Sequence, residues 1–363
     1  MSSKSLYNIH IFALVIMSTG FMVHVLLIPV LLFMGNRDSW ISVVFSFLPS
    51  IIWIFLLYFL IKKLKGIDIL TYLKTKIHPL IYYFTAILFS IYLLINAFVT
   101  FRSTVFWAKE NYTFDLPLFT IMVCLSIVCL YGSIKGMQAI SMMALFILPF
   151  VVFLGFFVGI GNYPNKNYSL LFPVFQEGLY SILKGTLFSS IGVFETLLIL
   201  FFIPFCKKTI KIKWLILIMI LLFIMTLGPL TGAIAEFNID AAREMRVPAY
   251  DQWRLLSFGK YINRLDFLSI FQWLSGAYIR ISLNVFLGNH ILFGSKKKWP
   301  IFLMYLIIMG ATFIPINSIK YYHMLRKFYY PFNLFFLLTF MALFLVLIIW
   351  KKPGGEQHAS KEI

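Results

Sequence analysis

Charge is what this sequence has least of. Asp, Glu, Lys and Arg make up 12% of its 363 residues, about half the share of a soluble domain. Acids are scarcest: 13 Asp and Glu stand against 31 Lys and Arg. The three cysteines, Cys124, Cys129 and Cys206, lie in apolar runs without metal-ligand spacing, which argues against a disulfide framework or a zinc site. A Gly-rich phosphate loop, a His-Glu-x-x-His pair and a Gly-x-Ser-x-Gly elbow are all missing. No enzyme class and no cofactor are therefore expected. Gly159-Ile-Gly161 is a weak fragment of a phosphate loop at the end of an apolar run.

What fills the space is apolar. Hydrophobic residues account for 61% and aromatic residues for 19%, more than a water-soluble fold of this length could hide. The apolar runs are continuous and near 20 residues, whereas barrel strands would alternate over about 10. The sequence is expected to be an all-α polytopic membrane protein. The net charge of +18 sits in short clusters between these runs, so no nucleic-acid partner is expected. The first run is too long for a signal peptide and is expected to be a span.

Ten runs are long enough, or nearly so, to cross a hydrocarbon core of about 30 Å. They are Ile9–Met34, Trp40–Ile61, Leu80–Phe101, Leu116–Tyr131, Ala139–Ile160, Leu179–Phe205, Trp214–Ala235, Phe267–Leu287, Trp299–Ile316 and Tyr330–Trp350. With both termini in the cytoplasm, the inner segments collect 17 basic residues and three acids. Lys207, Lys208, Lys211 and Lys213 share one short inner connection, and Lys296 to Lys298 another. This asymmetry sets the orientation. Residues 1–352 are expected to form one integral membrane domain, and residues 353–363 a disordered cytoplasmic tail. In the long outer segment Glu236 to Asp266, Leu255, Phe258 and Ile262 recur at helical spacing. That spacing predicts a short helix, either on the bilayer surface or packed on the bundle.

The first and sixth runs are the odd ones. Each carries small polar residues and glycine at mid-length: Ser18-Thr19-Gly20 and Ser189-Ser190-Ile191-Gly192, with Pro29 and Pro204 further on. Gly20 and Gly192 are 172 residues apart, close to half the chain. Such matched segments point to interrupted helices and a 5+5 inverted repeat, one unit over about 7–160 and the second over about 179–350. A helix broken in mid-membrane bares N–H groups on one side and C=O groups on the other. Two facing breaks would suit a zwitterion such as an amino acid. Alternatively, Ser, Thr and Gly serve close helix packing.

The candidate ligand-binding residues are therefore Ser18, Thr19, Gly20, Ser189, Ser190 and Gly192. Tyr92 and Asn96, four apart on one face of the third run, join them, as does Tyr278 on the eighth; Asn284 and His24 are weaker candidates that can equally serve packing. Glu195 lies three residues past Gly192 in a sequence stretch where a lone charge costs about 2.5–3.5 kcal/mol. Arg280, near the centre of the eighth run, is its expected partner, with snorkelling to the interface as the alternative.

Taken in order, these residues resemble the B-subunit (GerAB-type) family of spore germinant receptors, within the amino acid–polyamine–organocation transporter superfamily. The resemblance covers nearly the whole chain. It includes Gly20 and Pro29, Leu171-Phe172-Pro173, Gly192 with Glu195 and Pro204, and Val247-Pro248-Ala249-Tyr250 leading to Arg254, Arg264, Asp266 and Trp273. The family commonly has Phe-Gly-Glu where this chain has Gly192-Val193-Phe194-Glu195. The resemblance implies a LeuT-like bundle in the spore inner membrane. It also implies association with receptor A and C subunits and recognition of a small germinant, an amino acid or nucleoside. A proton- or sodium-coupled amino-acid permease and a purely structural subunit are the competing expectations.

Overall fold

The computed structural model describes residues 5–350 apart from 258, 260 and 295. The tail expected to be disordered lies outside the described residues. Each of the ten apolar runs is helical, and seven helical stretches are long and apolar enough to cross a membrane. The chain is thus a multi-pass, all-helical membrane protein. Its exposed side chains are large and apolar, such as Phe146, Phe153, Leu306 and Phe335, as a lipid-facing surface requires.

We number the bundle helices in chain order. α1 runs through Asn8–Phe21, Met22–Leu27 and Ile28–Gly35. α2 comprises Ser39–Phe45 and Phe47–Leu64. α3 is Pro79–Asn111, α4 Leu118–Lys135 and α5 Met137–Gly161. α6 begins as Gly178–Phe194 and continues as Glu195–Phe201 and Ile203–Phe205. α7 is Ile212–Ala242, α8 Phe267–Phe293 and α9 Trp299–Thr312. α10 comprises Ser318–Met324, Leu325–Tyr329 and Tyr330–Trp350.

The expected breaks in α1 and α6 are not where the small residues are. Ser18, Thr19 and Gly20 lie within regular α-helix. The winding changes just beyond them, widening to a π-helix over Met22–Leu27. Pro29 follows within two residues, and its ring cannot complete the preceding α-turn. Ser189 to Gly192 are likewise regular α-helix, and the winding tightens to 3₁₀ only from Glu195. The glycines serve contact instead. A Cβ on Gly20 would come within 2.7 Å of Met225 Cε, and one on Gly192 would collide with Val23. The two helices are rewound rather than opened, and small residues let their neighbours approach.

α1 and α6 are tied at both ends. At one end the backbone of Leu6 pairs with Phe205 and Lys207, at 2.9 and 2.8 Å. At the other end the buried Asp38 carboxylate accepts the backbone N–H groups of Phe175 at 2.8 Å and Glu177 at 2.9 Å. α3 extends about 50 Å and packs most extensively against α8. Its helix continues ten residues past the expected end at Phe101, to Asn111. The short helix expected around Leu255–Ile262 is displaced: it spans Pro248–Leu255, buries Tyr250 and Trp253, and packs on the bundle. Pro248 starts it, because proline's fixed φ suits a first helical turn.

Candidate functional site

Two polar centres stand out in this apolar bundle. The first lies at its middle. Arg280 of α8 and Glu195 of α6 form a bidentate ion pair, with Nη2–Oε1 at 2.6 Å and Nη1–Oε2 at 2.8 Å. They are 1% and 2% exposed. Glu195 reaches this position because it is the first residue after the winding of α6 tightens.

The remaining donors of Arg280 are also taken. Nη1 donates to the Ser18 carbonyl of α1 at 3.2 Å, Nη2 to Asn96 Oδ1 at 3.0 Å and Nε to Thr100 Oγ1 at 3.2 Å. Asn96 also accepts the Tyr329 hydroxyl of α10 at 2.6 Å. One guanidinium thereby joins α1, α3, α6, α8 and, through Asn96, α10. A forked carboxylate–guanidinium pair with its other hydrogen bonds filled is the geometry in which a buried charge is tolerated.

The peptide groups near the rewound segment are satisfied by side chains. The Tyr330 hydroxyl donates to the Leu26 carbonyl at 2.6 Å. His24 Nδ1 lies 3.3 Å from the Met225 carbonyl. Among the described residues, α1 and α6 pack closely, Val23 of α1 lying where a Cβ on Gly192 of α6 would fall. The gap lined by Val23, Ser46, Ser189 and Gly192 measures about 10 Å³, too small for a free solute. Ser189 and Ser190 point to packing partners: Ser189 Oγ donates to Ser46 Oγ at 3.1 Å, and Ser190 Oγ to the Thr186 carbonyl at 2.8 Å.

The other expected residues divide. Asn96 belongs to the ion-pair network. Ser18 enters it through its carbonyl, not its hydroxyl. Tyr92, one turn from Asn96, stacks on Phe336 at 4.4 Å, and its buried hydroxyl has no hydrogen-bond partner among the described residues. Asn284, one turn from Arg280, is buried, and both its side-chain polar atoms lack a hydrogen-bond partner among the described residues. Tyr278 is not brought to the pair. It packs over Gly132 of α4, where a Cβ would sit 2.6 Å from its hydroxyl. Thr19 and Gly20 are buried in α1, Gly20 against Met225 of α7.

The second centre escaped sequence reasoning. Between the C-terminal part of α3, the start of α10 and the start of Pro248–Leu255, at the end of the bundle expected to face outward, lies a cavity of about 280 Å³. Its wall includes Arg102, Phe106, Trp107, Glu110, Arg246, Tyr250, Asp251 and Tyr322. Arg102 is 2% exposed. Its guanidinium donates to the carbonyls of Thr312, Ile314 and Ile316 at 2.7, 3.2 and 3.0 Å. It thus caps the C-terminus of α9, where the helix dipole favours a cation. The Phe106 and Tyr321 rings lie 4.6 and 5.0 Å from it. Burial raises the Tyr250 hydroxyl above its ordinary value and does the same to the Asp251 carboxyl, against the opposing pull of Arg254. The signal that could have found it is a second arginine directly after an apolar run: the third run was ended at Phe101, one residue short of Arg102, whereas the helix continues to Asn111.

An all-helical chain with several spans and a buried ion pair at its centre defines a polytopic helical membrane protein. Within that class, residues 7–321 match the family described as spore germination protein. The chain is 36% identical over 343 residues to "Spore germination protein XB" of Bacillus anthracis, covering 94% of this chain and 96% of that one. The chain belongs to the spore germination protein family.

Proposed function

We propose that this chain is the germinant-sensing membrane subunit of a spore germination receptor. In this reading the ten helices all cross the spore inner membrane, with both termini in the cytoplasm. α1–α5 and α6–α10 form the two inverted halves. A small nutrient, an amino acid or nucleoside, binds between α1 and α6 beside the Arg280–Glu195 pair. Receptor A and C subunits read the resulting change in the bundle.

The observation that carries the proposal is the single guanidinium linking five helices at the bundle centre. A ligand carboxylate or other acceptor that competes with Glu195 for Arg280 would loosen α6 from α8 and α1. The two clasps, at Leu6 and Asp38, leave α1 and α6 hinged together at their ends, so the change is concentrated at mid-membrane. Ligand binding then selects a second packing of the same helices, at the cost of the latch. Family membership supports the germination role.

The test is germination of spores that lack this chain, screened over amino acids and nucleosides. Loss of response to one class, restored by the wild-type chain, supports sensing. The Glu195→Gln chain, present at normal level, should restore the response only at altered germinant concentration. An unchanged response in both strains would refute it. A permease is the second reading, because small nutrients would have to reach the same place to be carried. Uptake of labelled amino acid into proteoliposomes holding this chain alone would favour it.

A further inference from the structure

The outer cavity has a chemistry of its own. Four charged side chains line it: Arg102, Arg246, Glu110 and Asp251. Both carboxylates are already matched. Glu110 Oε2 holds Arg246 at 2.7 Å, and Asp251 lies 3.6 Å from Arg254. Arg102 has no carboxylate within 4.0 Å among the described residues. Its three bonds go to backbone carbonyls, which supply partial charge only. Among the described residues, those three bonds engage three of its five N–H groups, two on Nη1 and one on Nη2.

A guanidinium held rigid by three carbonyls, flanked by two rings and still owed an anion is prepared for a planar acceptor. The cavity above it is roomy at about 280 Å³ and walled by Phe106, Trp107, Tyr250 and Tyr322. Those walls favour an apolar body on the ligand over a bare, strongly hydrated ion. We propose that this outer cavity is a recognition site for a small carboxylate with an apolar body, its carboxylate seated on Arg102. The site is separate from the Arg280–Glu195 latch, whose own donors are all used. It stands whether or not the chain senses a germinant at its centre.

The experiment is calorimetric titration of benzoate into the purified full chain in detergent. Benzamide, of the same shape without the charge, and inorganic phosphate are the companion probes. Benzoate should bind saturably, one per chain, and benzamide about tenfold or more weakly, as loss of a charged fork implies. Phosphate should not displace it at matching concentration. Arg102→Gln should weaken benzoate about tenfold or more. Because Arg102 also caps α9, a second variant is placed at Ser318, which lines the cavity and donates to Glu110 Oε1 at 3.2 Å: Ser318→Trp narrows the cavity while leaving the arginine in place. It should weaken benzoate with an unchanged melting temperature. No saturable benzoate binding to the wild-type chain overturns the proposal. So does equal affinity in Ser318→Trp, and phosphate displacing benzoate on equal terms would show a site for any anion and overturn the carboxylate assignment.

Discussion

Arg280 and Arg102 are both almost fully buried, yet the bundle neutralises them in opposite ways. Arg280 meets a full negative charge on Glu195, and every direction of its fork is filled by another helix. Arg102 meets only the carbonyl end of α9, beside a cavity. The difference follows from depth. At mid-membrane a lone charge has no water to fall back on, so the charge is cancelled within the protein. Near the end of the bundle a partly cancelled charge is tolerable, because water or a solute can complete it. The centre is therefore built as a latch, and the outer end as a receiving surface.

The largest expected effect tests that contrast directly. Arg280→Met strands Glu195 as an unpaired buried charge and should cost about 3–5 kcal/mol of stability. Arg102→Met frees three carbonyls near the wet end of the bundle and should cost about 1–3 kcal/mol. Chemical unfolding in detergent measures both. Equal losses would mean that depth does not govern how the two arginines are neutralised.

Next comes the pair itself. A double-mutant cycle with Glu195→Leu and Arg280→Met should show coupling of about 2–3 kcal/mol, since two directly bonded groups are not additive. The double variant should be more stable than Arg280→Met alone. A coupling near zero would leave Arg280 held by Ser18, Asn96 and Thr100 without help from the carboxylate, and the latch would dissolve into ordinary helix packing.

Residue pattern alone made part of this legible. Glu195 and Arg280 are recognisable as charges inside apolar runs, because burying either alone is costly. Asn96 follows from its spacing on α3. The glycines misled for a physical reason: Ser-Thr-Gly at mid-span has the same composition whether a helix opens or lets a neighbour come close. Only the partner settles it, and here Met225 and Val23 are those partners. The place where the winding changes depends on Pro29 and on the first turn after Phe194, several residues away. Arg102 was hidden because hydropathy ends the third run at Phe101, while the helix carries on to Asn111. Its three acceptors are more than 200 residues further along the chain, beyond the reach of any local pattern.

A smaller effect should mark the α1–α6 crossing. Gly192→Ala places a methyl group against Val23 and should cost about 1–3 kcal/mol by overpacking. Adding Val23→Ala should recover most of the loss, which unfolding of the two variants would show. An open break would accept the methyl group with no such cost, so neutrality of Gly192→Ala would reverse the reading of rewound rather than opened helices.

The smallest effect belongs to the rim of the outer cavity and separates it from the latch by pH. Burial holds the Asp251 carboxyl above its ordinary value in the folded chain, with Arg254 opposing in part. The unfolded chain keeps the ordinary value, near pH 4. Between the two values the folded form holds a proton that the unfolded form has lost. This group's contribution to stability therefore rises as pH falls through that window and levels off below the ordinary value. Asp251→Asn, which cannot ionise, should flatten that rise by about 0.5 kcal/mol or less, the scale of a partly exposed site. Unfolding midpoints of the two chains, compared from neutral pH downward, measure the flattening. Parallel profiles would mean that the Asp251 carboxylate is fully hydrated. The outer cavity would then be a wet vestibule, and the contrast between a dry, cancelled centre and a half-desolvated outer surface would lose its outer half.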